Sequence, residues 1–166
     1  MPASGSKRKT LKQAAVHTRD SFAIKSSSGR GRGLFAKVDI KKGDTIGHYT
    51  GEQIRDWHAS REPHGSSLYL MWICKNHWIN AVGPKANYTR YINHSTNPNS
   101  ELVVSTRWKT ARIRSQRSIG PGEEIFYDYG DEYWEALGVD PLVDGNDEPR
   151  SQNDERESLT LGTGVA

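Results

Sequence analysis

No apolar run in this chain is long, and turn-forming residues interrupt the sequence every few positions. A chain punctuated in this way has room for many short strands and little room for long packed helices. Phe22-Ala23-Ile24-Lys25 leads into SSSGRGRG, read as a glycine-rich loop, and Gly33-Leu34-Phe35-Ala36 leads into the turn Lys41-Lys42-Gly43-Asp44. Strands are expected at Thr45 to Tyr49, Trp78 to Ala81, Leu102 to Ser105 and Glu124 to Tyr129. Ala111-Arg112-Ile113-Arg114 alternates apolar and charged residues, as a half-exposed strand does. Only two short stretches read as helical, about Gln53 to Arg61 and Asp131 to Leu137. The pattern predicts a mainly-β domain.

The 166 residues fit one domain with tails. Residues 1–20 are polar and basic and read as a flexible arm. Residues 21–138 read as the folded domain, and 139–166, rich in Pro, Gly, Asp, Glu and Ser, as an acidic disordered tail. Residues 1–42 carry a net +9, residues 43–121 a net +5 and residues 122–166 a net −11, within an overall charge of +3. The basic front suits an acidic partner such as nucleic acid, and the acidic end a basic substrate. Two solvated tails account for the same figures. The single cysteine, Cys74, excludes an internal disulfide and a thiolate zinc cage, and its apolar neighbours predict a buried thiol. No stretch reads as a signal peptide or membrane span, so the expected setting is intracellular, in a nucleus or a bacterial cytoplasm.

Three segments bear chemistry. Gly29-Arg30-Gly31-Arg32-Gly33-Leu34-Phe35-Ala36 has glycines that let backbone approach a ligand, though the same residues also make an ordinary loop or a basic patch. Behind the aromatic stretch Tyr88 to Ile92, read as a strand, lies Asn93-His94-Ser95-Thr96-Asn97-Pro98-Asn99. It is either a polar turn or a place where Asn and His bind an adenine and an amino-acid carboxylate. The third segment places Tyr127, Tyr129, Tyr133 and Trp134 within eight residues. A core strand followed by a packed helix explains one or two of these rings, but three tyrosine hydroxyls need partners. The six histidines lack metal-site spacing such as HExxH.

GRGLFA, Tyr49-Thr50-Gly51-Glu52, RYINHSTNPN and GEEIFYDYG, in this order, resemble the SET-domain protein lysine methyltransferases, in particular the minimal forms without flanking zinc modules. The resemblance runs from about Phe22 to Leu137. It implies the SET fold (a β-clip) of small curved sheets with a C-terminal pseudoknot and a few short helices. It implies S-adenosyl-L-methionine as cofactor and a basic, lysine-bearing protein such as a histone tail as substrate. Gly31, Arg32, Gly33, Arg90, Asn93, His94 and Trp134 are then expected to hold the cofactor. Tyr129 is expected to be the catalytic tyrosine, with Tyr49 and Tyr127 beside it, and Tyr49, Tyr127 and Tyr133 to line the lysine channel. By the same resemblance Tyr127 favours monomethylation. Two departures stand out: Thr96 replaces the family's zinc-ligating cysteine, and no C-terminal cysteine triad follows, so Tyr133 and Trp134 must close the site. A fold kept as an inactive peptide-binding module, or a basic nucleic-acid-binding protein, are the alternatives.

Overall fold

The computed structural model describes residues 14–140. Among the described residues, ten short strands form four small sheets. β1 (Phe22–Ser27) pairs antiparallel with β2 (Gly31–Ala36). The glycine-rich stretch is therefore a loop only as far as Arg30. From Gly31 onward it is strand, because Gly31 to Ala36 pair one-to-one with Ser27 to Phe22.

β3 (Thr45–Tyr49), β8 (Ser100–Ser105) and β9 (Thr110–Ser115) make a three-stranded sheet with β9 in the centre. The alternation read in the sequence is present in β9, where Ala111, Ile113 and Ser115 are buried and Thr110, Arg112 and Arg114 are not. β4 (Glu52–Ile54), β5 (Leu70–Cys74) and β6 (His77–Asn80) form a second such sheet with β6 central.

The helix expected over Gln53 to Arg61 is reduced to α1 (Asp56–Ala59). Its first residues are drawn into β4 by β6, with Gln53 opposite Ile79. Tyr88 to Tyr91, expected as strand, form a 3-10 turn, and the Asn87 side chain caps it by accepting from the Thr89 amide at 3.0 Å. The strand expected over Glu124 to Tyr129 shortens to β10 (Phe126–Tyr127), because Glu124 and Ile125 use their backbone on β2: Glu124 bridges Phe35, and the Ile125 amide donates to Leu34.

Where the resemblance puts a pseudoknot, β10 lies parallel to β7 (Asn93–His94), with Tyr127 opposite His94. The crossing is pinned by Asn99, whose side chain accepts from the Phe126 amide and donates to the Glu124 carbonyl, and by Ser100, which donates to the Phe126 carbonyl. α2 (Asp131–Leu137) follows, with acidic residues in its first turn and Gly138 closing it in a left-handed conformation.

Two apolar cores result. One joins Phe22, Leu34, Ile46, Ile92, Ile113, Ile119, Ile125 and Tyr127; the other joins Tyr49, Ile73, Ile79, Ala81 and Ala111. Met71 and Leu102 touch both. Cys74, expected buried, is half-buried at the edge of the second core. Residues 15–17, counted with the basic arm, lie along β3: Val16 bridges Thr45, and the Ala15 amide donates to Asp44. No helix among the described residues is long and apolar enough to cross a membrane.

Candidate active site

Pairing β7 with β10 brings the polar turn and the last aromatic strand together. Because Tyr127 sits opposite His94, Tyr129 two residues on meets the histidine ring: its amide donates to His94 Nδ1 at 3.2 Å, and the ring centroids lie 5.5 Å apart. The Tyr129 hydroxyl donates to the Ile92 carbonyl at 2.8 Å, immediately before β7. α2 then folds its aromatics onto the same place. Tyr133 meets Tyr129 edge-on at 4.7 Å, and Trp134 meets His94 edge-on at 4.9 Å and lies nearly parallel to Tyr129 at 6.1 Å. Tyr127 is 4.8 Å from Tyr129.

Tyr49 reaches the cluster from β3. It is buried, and its hydroxyl donates to the Tyr69 carbonyl at 2.9 Å. Burial pushes the phenols of Tyr49, Tyr127 and Tyr129 well above the ordinary tyrosine range, and the mutual proximity of the hydroxyls adds to it. The Arg90 guanidinium pulls Tyr49 back in part. Tyr133 is raised by burial and by Tyr69. All four phenols are therefore neutral near neutral pH.

Asn93, on the other side of β7, uses both amide N–H groups within the protein. They donate to Glu124 Oε1 at 2.8 Å and to the Arg32 carbonyl at 3.2 Å. The amide oxygen of Asn93 is thereby oriented away from both. Glu124 also accepts from the Ser27 hydroxyl at 2.9 Å, and its carboxylate fills the space that a side chain at Gly33 would need. Gly31 has φ +73° and open space where a Cβ would stand. Arg32 lies over Tyr91 at 5.0 Å, while Arg90 lies over Tyr69 at 4.1 Å, on the Tyr49 side. Arg90 Nε and Trp134 Nε1 are buried without a hydrogen-bond partner among the described residues. Asp128, Asp131, Glu132 and Glu135 are exposed around α2.

The structure thus brings Tyr49, Tyr127, Tyr129, Tyr133, His94 and Trp134 into one cluster, with Asn93, Arg32, Gly31 and Gly33 on its β2 side. Sequence reasoning missed two contributors. Tyr69 acts through its backbone carbonyl and as the floor under Arg90, and no motif marks it. Glu124 stood inside a quoted segment, and its signal was a charged residue directly before the fully buried Ile125.

These features define a small β protein whose polar turn and last aromatic strand meet at one buried cluster. A match to the SET domain covers residues 31–130, so the chain belongs to the SET-domain family. Among curated relatives, 118 residues are 39% identical to the histone-lysine N-methyltransferase NSD3 of Mus musculus, covering 66% of this chain and 8% of that protein. A stretch of 130 residues is 33% identical to the histone-lysine N-methyltransferase trithorax of Drosophila virilis, covering 74% of this chain and 3% of the relative. The H3 lysine-36 specific histone-lysine N-methyltransferase of Homo sapiens is 32% identical over 111 residues, 60% of this chain and 4% of the relative. The chain spans less than a tenth of the length of each.

Proposed function

We propose that the chain is an S-adenosylmethionine-dependent protein-lysine N-methyltransferase acting on a basic segment such as a histone tail, and mainly a monomethylating one. The observation that carries this is the junction of Tyr129 with β7: amide on His94, hydroxyl on Ile92, and Trp134 and Tyr133 packed around both. When bound, the cofactor supplies an electrophilic methyl group on a positively charged sulfur.

The residues present fit such a molecule. The oxygen of Asn93, its amide hydrogens already committed, is an acceptor for an ammonium group. The buried indole N–H of Trp134 is a donor in need of an acceptor, as adenine provides. The stacked faces of Tyr129 and Trp134 favour a cation within about 6 Å. Open space at Gly31 leaves the β2 backbone accessible.

The tyrosines prepare the nucleophile. A free lysine has a pKa of about 10.4, so about one in a thousand is neutral at pH 7. Burial among Tyr49, Tyr127, Tyr129 and Tyr133 disfavours the ammonium. None of these phenols serves as a base, since each is held neutral; the lysine proton leaves to water. Tyr129 and Tyr49 both spend their hydroxyl hydrogens on backbone carbonyls, so their oxygens present lone pairs. The rate gain comes from alignment. The buried hydroxyl of Tyr127 limits room for added methyl groups, which supports monomethylation. The acidic residues around α2 attract a basic peptide.

The test is calorimetric titration with S-adenosylmethionine, followed by transfer of a labelled methyl group to core histones, ribosomal proteins and the chain itself. Binding with transfer to a basic protein is expected. Binding without transfer to any of them favours a peptide-binding module instead. Lys7, Lys9 and Lys12, candidates for methylation in cis, lie outside the described residues.

A further inference from the structure

A second polar site lies away from the aromatic cluster. A cleft of about 340 Å³ is lined by Gln53, Ile54, Arg55, Asn76, His77 and Lys109. Three turns from separate parts of the chain meet there. Arg55 joins β4 to α1, the Lys75–Asn76 turn joins β5 to β6, and Lys109 ends the turn between β8 and β9. No lining residue is acidic, and five of the six have polar side chains able to donate a hydrogen bond.

Of the flanking acids, Asp56 is occupied: its carboxylate accepts from the Asn76 amide at 2.9 Å and from the Trp78 indole at 2.8 Å, which anchors the turn to α1. Glu52 is exposed outside the lining. Among the described residues, Arg55, Lys75 and Lys109 make no ion pair. His77 is only 8% exposed, yet its Nε2 is buried with no hydrogen-bond partner among the described residues. Trp108, next in sequence to the lining Lys109, is 71% exposed, with the Arg107 guanidinium 5.2 Å from its ring.

We propose that this cleft binds a phosphate of a nucleic-acid backbone, with Arg55 and Lys109 as its cationic contacts, His77 in its wall and Trp108 packing on an adjoining sugar. A guanidinium, an ammonium and side-chain amides around an acid-free hollow suit a tetrahedral oxyanion. The exposed indole, flanked in sequence by Arg107 and Lys109, favours nucleic acid over an acidic peptide, since the sugars beside a backbone phosphate offer an apolar face to pack on and a glutamate side chain does not. The net +9 of residues 1–42 favours the same partner. Contacts of this kind position a duplex without reading its sequence. The proposal is independent of methyl transfer.

The full chain, without cofactor, is titrated into a short labelled duplex DNA by fluorescence anisotropy at a series of salt concentrations. The Arg55→Ala/Lys109→Ala double variant and the Trp108→Ala variant are compared with the native chain. These side chains are exposed, so thermal unfolding and S-adenosylmethionine affinity are expected to stay unchanged, which separates this site from the active site. Loss of two phosphate contacts lowers the slope of log K against log salt by about 2. Trp108→Ala weakens binding with little change in slope. In the histidine NMR spectrum the His77 ring signals shift on adding duplex. An unchanged slope in the double variant overturns the site. A double variant that loses binding to polyglutamate but not to duplex overturns the nucleic-acid assignment in favour of an acidic protein.

Discussion

Adding one methyl group at Gly33 tests how the cofactor side of the cluster is built. A Cβ there would stand 2.1 Å from Glu124 Oε1, 2.7 Å from its Cδ and 3.1 Å from Ser27 Cβ. Something must move, and the movable group is the Glu124 carboxylate. Displacing it breaks the bonds from Ser27 at 2.9 Å and Asn93 at 2.8 Å. Each donor left unsatisfied costs about 1–3 kcal/mol, so stranding both in Gly33→Ala should destabilise by about 2–6 kcal/mol. Glu124→Ala alone strands the same two donors and should cost a similar amount. Together the two changes should cost far less than their sum, because the clash is gone and only the Ser27 contact remains. Urea unfolding of the four proteins measures the coupling, expected at 1 kcal/mol or more. Additive costs would refute the claim that Glu124 occupies the place of a Gly33 side chain.

Trp134→Phe removes the indole N–H but keeps an aromatic ring, so S-adenosylmethionine affinity should fall about three- to tenfold by calorimetry. Tyr127→Phe should shift products from monomethyllysine toward di- and trimethyllysine, read by mass spectrometry of the substrate protein. Burial pushes the Asp44 carboxyl up, but the Lys41 and Ala15 amides and the His17 ring outweigh it and hold it below its ordinary value of 3.8. A carboxyl lowered by folding stabilises above its unfolded pKa, and that contribution is lost as pH falls through the folded value. Urea midpoints should therefore decline below about pH 4, and less steeply in Asp44→Asn.

How much could be read in advance varies with the kind of interaction. β3 and α2 have the bounds expected from the sequence, because their boundary signals are local: the turn at Lys42–Gly43 before Thr45 and the glycines around Asp131–Leu137. The lost front of the Gln53–Arg61 helix and the shortened Glu124–Tyr129 strand are tertiary effects. The backbone of Gln53 pairs with β6, and that of Ile125 bonds to β2, partners far away in sequence. The cluster of Tyr49, Tyr127, Tyr129, His94 and Trp134 was legible because each residue stands in a motif. Tyr69 was not legible, because a backbone carbonyl leaves no trace in residue identity. Glu124 was visible as a residue but not as the clamp on Asn93, since its partners Ser27 and Asn93 lie 97 and 31 positions away.

The most direct test of methyl transfer is intact-mass analysis of core histones incubated with the chain and S-adenosylmethionine, beside a Tyr129→Phe control. Single methyl additions on lysine are expected with the native chain, and a rate lower by about a hundredfold with the variant, since alignment at the reacting atoms is lost. A Tyr129→Phe chain that methylates as fast as the native one would contradict this expectation.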